Sequence, residues 1–561
     1  MLLVTRSVAC VTDHAQTYQA PIRTPRSDNQ DLCIPAHGQL CAQVLANRHS
    51  WKRDSIPDWI LKLRNRARSQ VASAAKAYAR LYTSEPLIEP SMLWIVGGHQ
   101  PEAFHPGVWY KNFLIDATAK ELSKHDSPAV GLHVIIDHDL PKSLSIRLPY
   151  RPDPNSDNLA VGPCKLPIQK QNPSSHSLGP WHSYRIDPDR VEPFIREIET
   201  AADSLGLPVP MARSYFQVMS KLDADLDAAV ALSQARHKME NEHHLSNIDL
   251  PMSQICQTGA WFEFVEHCIS HAAGLNDTYN SALDAYRERE KITNPGQPVA
   301  HLGRISDWIE LPFWLYQSGD AGRNRMWVRS DAKTWELGSG VRPEEFAWTL
   351  RLDAQIGALQ TAFEQGSDRG LCIRPRALMT TLFLRCFIAD GFVHGIGGGI
   401  YDRLTDEIIR GLLHIEPPRY AIATATLQLP LPSHLRRGVQ VAEEELRALT
   451  KQARAARSAP ETFLIPNDQQ HRLLAQQHAE LLAAIPPRGA KKLWHRQMKD
   501  LKARIGQAIA PIVQKQHVQL QSAQRRAHEA QWLTSREYSM LVFPESDCIE
   551  RLKLLASQVR A

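Results

Sequence analysis

The hydrophobic pattern of the chain first changes character between residues 92 and 122. The segment MLWIVGG, residues 92–98, is a short apolar run that stops at two glycines. The following segment, HPGVWYKNFLIDATAKEL, has the apolar spacing of a helix, with Pro106 and Gly107 near its first turn. The pattern therefore predicts a strand, a loop and a helix in that order.

A second apolar run, AVGLHVIIDHD at residues 129–139, is rich in branched residues and does not alternate with polar ones. Such a run is typical of a strand that is buried on both faces of a parallel sheet. Together with the preceding strand and helix it makes a β-α-β unit. The sequence thus predicts an α/β fold with a Rossmann-like parallel sheet.

The same kind of pattern resumes far downstream, in FLRCFIADGFVHGIGGGIYDRLTDEIIRGLL at residues 383–413. It predicts a helix that ends near Gly391, a short strand FVHGI, a turn at Gly397, Gly398 and Gly399, and a second helix. Between the two sheet halves, residues 181–350 predict a mostly helical insertion, which we expect to contact the substrate. Its candidate contact residues are Asn280, Tyr286, Arg287, Glu310, Trp314 and Arg323.

The flanking segments predict additional helices. Residues 1–50 are irregular and polar, and residues 56–82 have the pattern of one amphipathic helix. Near the other end, helical apolar spacings on both sides of IPPRGAKK, residues 485–492, predict two long helices in an antiparallel coiled-coil hairpin, through which we expect a homodimer. The predicted units are an N-terminal extension at 1–90, the sheet halves at 91–180 and 351–432, the insertion at 181–350, the hairpin at 433–535 and a C-terminal segment at 536–561.

Charge and composition narrow the class of protein. The net charge is +5, but residues 436–530 hold 17 Lys and Arg against 8 Asp and Glu, a local +9. A solvated coiled-coil face explains this charge better than a nucleic-acid surface, because the segment is poor in aromatic residues and carries no groove-reading motif. The nine cysteines form no CxxC pair, so we predict no metal site and no disulfide framework. The chain has neither a signal peptide pattern nor an apolar run of roughly 20 residues, so we expect a cytoplasmic protein with no membrane partner.

The loop after the first strand is the first candidate site, because ligands of open α/β sheets bind at the carboxyl ends of the strands. Gly97 and Gly98 would let backbone N–H groups approach an anion, and the following helix would direct its positive dipole end to the same place. The side chains expected beside this cradle are those of His99, Gln100, His105, Tyr110 and Lys111. The alternative is that the glycines only make a tight turn and the histidines cap the helix.

Two further loops are candidates on the same grounds. Asp137, His138 and Asp139 end the second strand and could hold ribose hydroxyls, a substrate ammonium or Mg²⁺, with His138 as a general base; the alternative is a helix-capping acidic turn. Both carboxylates can serve one ligand only if the strand has already ended at Ile136. The glycines at 397–399 could form a second anion cradle, whereas Tyr401, Asp402 and Asp406 could instead recognise a cationic or hydroxylated ligand.

The order of these parts resembles the bacillithiol-synthesis cysteine-adding enzymes (BshC). The resemblance rests on GGHQPEAFHPGVWYK, on the strand that ends in DHD, on YNSALDAYR and on FVHGIGGGIYD, followed by the helical hairpin. It implies a core related to nucleotidyltransferases and class I aminoacyl-tRNA synthetases, a coiled coil used for dimerisation, and the joining of a cysteine carboxyl group to an amine. Related folds activate carboxylates with a nucleotide, so ATP or ADP is the cofactor it suggests, with the need for Mg²⁺ left open.

Three positions depart from the pattern of that family. His99 replaces the first glutamine of its GQQ loop, Ile136 stands where the family has a glutamate, and His105 is an additional histidine. Because specificity depends on which polar groups find partners, we expect a ligase that joins cysteine or another amino acid to a different small amine. His99 or His138 would remove the proton, and Lys111 with the glycine amides would stabilise developing charge. Two alternatives remain: an inactive relative that only binds its ligand, and a nucleic-acid-associated protein that uses the basic helices.

Overall fold

The computed structural model describes residues 22–82, 87–153, 159–170, 179–219, 226–317, 323–365 and 370–560. Its strands are β1 (Gln30–Ile34), β2 (Leu93–His99), β3 (Ala129–Ile135), β4 (Ser145–Tyr150), β5 (Ala160–Lys165), β6 (Ile168–Lys170), β7 (Tyr184–Ile186), β8 (Ile248–Pro251), β9 (Arg304–Ile305), β10 (Trp308–Gln317), β11 (Asn324–Ser330), β12 (Thr334–Gly340), β13 (Trp348–Asp353), β14 (Leu371–Pro375), β15 (Gly391–His394) and β16 (Ala421–Thr426).

Helices cover most of the remaining described chain. They are α1 (Leu40–Ser50), α2 (Asp58–Ala79), α3 (Pro106–Lys124), α4 (Pro188–Ser204), α5 (Ala212–Met219), α6 (Ala228–Glu242), α7 (Met252–Ile255), α8 (Gly259–Ser270), α9 (Ala272–Glu290), α10 (Ala358–Gln365), α11 (Ala377–Phe383), α12 (Ile396–Leu413), α13 (Ser433–Ser458), α14 (Gln469–Ala483), α15 (Lys492–Ala508), α16 (Ala510–Leu533) and α17 (Glu545–Ala556). A π-helical turn, Leu384–Ile388, continues α11. No helix in these ranges combines the length and the apolar composition needed to cross a membrane.

A six-stranded mixed sheet forms the centre of the fold, in the order β1-β16-β15-β2-β3-β8. Five of its strands are parallel, and β1 is added antiparallel to β16 at one edge. From β2 the chain runs outward to β3 and β8, and it then returns to the other side of β2 for β15 and β16. The order of the strands therefore reverses between β2 and β15.

The sheet lies between two hydrophobic cores, which explains the apolar runs in the sequence. Along β2, Ile95 packs into the core beside α3, whereas Trp94 and Val96 pack into the core beside α2 and α12. All three side chains are buried, so the strand shows no alternation of polar and apolar residues. The predicted α/β class is confirmed, as are the strand, helix and strand at residues 92–139 and the helix within 56–82.

Two parts of the sheet differ from the sequence prediction. Residues 1–50 were expected to be irregular, but within the described residues they supply β1 and α1, and β1 makes the sheet mixed instead of wholly parallel. The strand β8 lies inside the predicted helical insertion and belongs to the central sheet. Both strands are short, and neither carries an apolar run long enough to reveal it.

A second sheet lies mainly within the insertion, although β14 and the end of β13 come from the segment predicted as the second half of the core. This sheet has the antiparallel order β13-β12-β11-β10-β14, with β9 beside β10. The sequence of β10, WIELPFWLYQ, is mostly buried along its whole length. A continuous apolar run of this kind cannot be told from a buried helix by its periodicity, which is why the sheet was not predicted.

Residues 433–533 form four helices instead of the two long helices predicted. Helix α13 runs beside α16, and α14 runs beside α15 around a small cluster of Leu474, Leu501, Ile505 and Ile509. The α-helices are interrupted at residues 459–468 and again at Ile509. The predicted turn at 485–492 lies between α14 and α15.

Candidate functional site

A cleft of about 770 Å³ lies at the carboxyl ends of β2 and β15. This is the point at which the strand order reverses, and it is where open α/β sheets bind their ligands. The second sheet contributes one wall, and Arg536 and Glu537 close the cleft from the C-terminal segment. Eight of the predicted site residues line it: Gly98, His99, His105, Lys111, His138, Asp139, Gly397 and Gly398.

Lys111 supplies a buried positive charge at the floor of this cleft. It lies in the second turn of α3, and its Nζ donates a hydrogen bond of 2.8 Å to the carbonyl oxygen of Gly98. Only 5% of the residue is exposed. Burial, reinforced by Lys142, lowers the pKa of Lys111 from 10.5 to about 8. The ammonium group has no ion-pair partner among the residues that the structure describes.

The glycines after β15 lie in a helix and not in a turn, which corrects the sequence prediction. Helix α12 begins at Ile396, so Gly397 and Gly398 form part of its first turn. The first N–H groups of a helix have no acceptor within the helix, and they carry the positive end of its dipole. Gly397 and Gly398 are exposed in the cleft, whereas Gly399 is buried, and a side chain there would collide with Ile422. Of the three glycines proposed to bind an anion, only Gly397 and Gly398 therefore present the start of α12 to the cleft.

Positive side chains dominate the walls of the cleft. Among its described lining residues the carboxylates are only Asp139 and Glu537. Arg323 pairs with Asp139 at 2.8 Å, and its guanidinium stacks over the ring of Trp314. The six cations are Lys111, Lys142, Arg323, Arg325, Arg376 and Arg536. This balance of charge suits an anionic ligand, since low-dielectric walls of one sign concentrate the opposite charge.

The buried carboxylate of Glu310 holds two of these cations in place. Arg376 pairs with it at 2.8 Å and Arg325 at 3.3 Å. Arg376 also lies over the ring of Trp314, with 4.5 Å between Cζ and the ring centroid. The arginines of this wall are thus fixed by the second sheet before any ligand arrives.

His99 and His105 both have pKa values that burial lowers. Burial, followed by the nearby Lys111, lowers the pKa of His99 well below its ordinary value. Burial and Arg536 lower the pKa of His105 to about 3. The Nδ1 of His105 accepts the N–H of Gly107 at 3.1 Å, so this histidine caps α3, which was the alternative considered from the sequence. A histidine with a strongly lowered pKa is a weak acceptor for a proton, which argues against His99 as the general base.

His138 also lines the cleft, but both of its ring nitrogens are directed at protein groups. Its Nε2 donates to the carbonyl oxygen of Pro375 at 3.1 Å, and its buried Nδ1 lies 3.9 Å from Asp137. This geometry fits a structural link between the central sheet and β14. It does not fit the predicted general base, which needs a nitrogen that a substrate can reach.

Asp137 and Asp139 point in opposite directions. Strand β3 ends at Ile135, so the condition for both to meet one ligand is fulfilled, yet only Asp139 enters the cleft, where Arg323 and the amide of Gln100 bind it. Asp137 accepts the N–H of Ser253 at 3.0 Å and lines a separate cavity of about 460 Å³. The predicted acidic pair is therefore divided between two sites.

The other predicted residues lie outside the cleft for identifiable reasons. Gly97 is buried beside the backbone of β15, and Gln100 turns toward Asp139. Tyr110 faces away from the cleft, because its hydroxyl donates to Asp31 at 2.7 Å. Tyr401 is 45% exposed and does not line the cleft.

Asp402 lies in the second turn of α12, and it is buried instead of facing a ligand. It pairs with Arg385 at 2.6 Å. Although burial alone would raise its pKa, Arg385 and His394 hold the pKa of Asp402 below its ordinary value. Asp406 pairs with the same arginine at 2.6 Å.

The candidates from the insertion divide in a similar way. Trp314 and Arg323 line the cleft, and Glu310 lies behind it. Arg287 binds the carbonyl oxygens of residues 295, 297 and 299 and so fastens a loop. Asn280 bonds to the backbone of Leu302, and Tyr286 lines a separate surface cavity beside α12.

Sequence reasoning missed several residues that line the cleft, among them Lys142, His394, Arg376 and Arg536. Lys142, Arg376 and Arg536 lie in loops without any motif, and only the tertiary fold brings them to this place. His394 could have been found, because it lies within the predicted strand FVHGI and only three residues before Gly397. Within the described residues, no three His, Cys, Asp or Glu side chains are grouped so that they could hold a metal ion.

Comparison with known proteins gives no further guide to the site. No protein-family model matches the chain, and no curated protein matches it either. The resemblance to the cysteine-adding enzymes therefore rests on the sequence motifs and their order alone.

Proposed function

We propose that this protein is an amide-forming ligase that binds a phosphate-bearing substrate in the cleft. It would join the carboxyl group of cysteine or another amino acid to the amine of a small acceptor. One observation carries the proposal: the buried ammonium group of Lys111 has no counterion among the described residues and lies in the same cleft as the first turn of α12. A buried charge is costly unless it is paired, so an anion from outside would relieve it.

The strand order supports a nucleotide as the source of that anion. Counted along the chain, the five parallel strands lie in the order 3-2-1-4-5, which is the order found in Rossmann-like sheets. We therefore assign this fold to the protein as part of the proposal. The phosphates of ATP or ADP would lie at the first N–H groups of α12 and at Lys111, because both favour negative charge.

The charges of the cleft also suit the chemistry. When an amine attacks an activated carboxyl group, negative charge develops on the carbonyl oxygen and on the departing phosphate. Lys111, Gly397 and Gly398 line this cleft, and the ammonium group and the two backbone amides would stabilise this charge. Asp139 and Glu537, the carboxylates of the cleft, would receive the ammonium group of the amino acid.

The proposal includes a homodimer formed through the helices at residues 433–533. Leu473, Leu482 and Leu493 are each about half exposed or more on α14 and α15, at 54%, 47% and 63%. These leucines lie exposed on a helical arm, and we propose that a second copy of the chain covers them. Sedimentation equilibrium of the full chain would measure the mass directly, and a monomer at all concentrations would reject this part.

The test of the ligase is a product search by mass spectrometry. The purified chain is incubated with ATP and Mg²⁺, a mixture of amino acids and a panel of amino sugars. We expect a product whose mass is that of one amino acid and one amine less water, formed by the wild type and not by Lys111→Met. Lys120→Met, on the exposed side of the same helix, is the matched control. Binding of ATP without any product would instead identify a relative that only binds its ligand.

A further inference from the structure

His394 is held by a chain of buried side chains at the edge of the cleft. It is the last residue of β15 and is 6% exposed. Its Nε2 lies 2.8 Å from Oδ2 of Asp402. Asp402 in turn accepts hydrogen bonds of 2.6 Å from Arg385 and from the hydroxyl of Thr381. The carboxylate is thus fixed, and it fixes the orientation of the imidazole ring.

This arrangement also determines which nitrogen of His394 carries the proton. A carboxylate that already receives two donors acts as an acceptor, so Nε2 of His394 donates, and in the neutral imidazole the lone pair is therefore on Nδ1. No described residue makes a hydrogen bond to this Nδ1. His394 therefore differs from His138, whose Nε2 donates to a carbonyl oxygen and whose Nδ1 is buried.

Gly398 lies directly beside the Nδ1 of His394, and both residues line the cleft. A Cβ atom at position 398 would lie 2.9 Å from Nδ1, which is closer than a carbon and a nitrogen can approach without a shift. At Gly397, one residue earlier in the same turn, a Cβ would meet nothing within 4 Å. Both glycines line the cleft. A side chain at 398, and not at 397, would therefore crowd this nitrogen.

We propose that His394 is the proton acceptor of the ligation, an assignment that rests on the proposed function. The amine of the acceptor forms a C–N bond to a carboxyl carbon that is activated as a phosphoric anhydride. The C–O bond to the phosphate breaks, and the phosphate leaves with the electron pair. The proton lost by the amine moves to Nδ1 of His394. Asp402, fixed by Arg385, is a positioning residue that stabilises the imidazolium ion.

The test measures the reactivity of this nitrogen directly. Diethyl pyrocarbonate modifies unprotonated imidazole nitrogens, and peptide mass spectrometry gives the rate at each histidine. In the folded wild type at neutral pH we expect His394 to react and His138 to remain unmodified. His125, whose side chain is 62% exposed, is the internal standard. Saturating ATP should slow the reaction of His394 and leave that of His125 unchanged.

Two glycine variants make the test specific. Gly398→Ala should slow the modification of His394 by about tenfold or more, because its methyl group would block Nδ1, whereas Gly397→Ala should leave the rate unchanged. Both changes place alanine in the first turn of a helix, so both should fold. Equal rates in the two variants, or an inert His394 in a wild type that binds ATP, would overturn the assignment of His394 alone. If ATP neither bound nor protected His394, the proposed function itself would fail.

Discussion

The ammonium nitrogen of Lys111 lies 2.8 Å from the carbonyl oxygen of Gly98, and no carboxylate of the described chain pairs with it. This contact joins the helix after β2 to the end of β2 itself, where the strand order reverses. A lone carbonyl dipole compensates a buried charge only partly. The ammonium group therefore lacks a negatively charged partner among the described residues, and this is the physical reason for placing an anionic ligand here.

The stability of the protein should depend on pH through Lys111. Its pKa is about 8 in the folded protein and 10.5 ordinarily, so between these values the unfolded chain binds more protons and stability rises with pH. Below pH 8 the buried ammonium costs about 3 kcal/mol, taking 1.4 kcal/mol for each pKa unit. Lys111→Met should therefore be the more stable protein below pH 8 and should lose this advantage as the pH approaches 10.5.

Urea unfolding of both proteins across this pH range measures the effect. Lys120→Met is the control, because its side chain is 45% exposed and pairs with Asp116, so it should show no such gain. A difference between Lys111→Met and the wild type that did not change with pH would mean that Lys111 is not a buried cation.

Because Asp137 and Asp139 line different cavities, we expect the same substitution to have different effects at the two positions. Asp139→Asn removes one of the two carboxylates of the cleft and should strengthen the binding of inorganic phosphate by roughly twofold to fivefold. Asp137→Asn lies in the other cavity and should not change that affinity. It should instead cost about 1–3 kcal/mol, because the buried acceptor for the N–H of Ser253 is weakened. Calorimetric titration with phosphate separates the two, and equal effects would show that the carboxylates share one site.

Asp390 should be the most sensitive carboxylate of the core. It faces Arg64 at 2.8 Å, Arg68 at 3.1 Å and Arg48 at 3.4 Å, and it accepts the N–H of Trp94 in β2. Asp390→Asn would leave buried guanidinium groups without a counterion and should cost about 3–5 kcal/mol.

An exposed carboxylate provides the comparison for Asp390. Asp307→Asn removes an ion pair with Arg329 in which the aspartate side chain is 59% exposed, and it should cost less than about 1 kcal/mol. Chemical denaturation gives both values. A loss at Asp390 as small as that at Asp307 would mean that the arginines find other compensation.

Local signals in the sequence were enough to predict the part of the fold that positions the site. The apolar runs that became β2 and β3 are continuous because both faces of each strand are buried, and Pro106 begins its helix as expected. The second sheet was missed because β10 is apolar along its length and resembles a buried helix. The added strand β1 was missed because its partner, β16, lies nearly four hundred residues away along the chain.

For the candidate site, too, neighbouring residues in the sequence were informative, whereas contacts between distant segments could not be predicted. Position at the end of a strand correctly brought Gly98, His99, Lys111 and Asp139 to one cleft. The direction in which each side chain points could not be predicted. Asp137 and Tyr110 were therefore counted among the site residues, although their side chains bind other partners. Arg536 could not be predicted at all, because only tertiary packing brings the C-terminal segment to the cleft.

The most direct measurement of the central claim is a calorimetric titration of the full chain with ATP, performed on the wild type and on Lys111→Met. If the cleft binds the phosphates through Lys111, the wild type should show saturable binding that the substitution weakens by about tenfold or more, which corresponds to the loss of about 1.4 kcal/mol. Equal affinities in the two proteins, or no heat of binding in the wild type at millimolar ATP, would contradict the account.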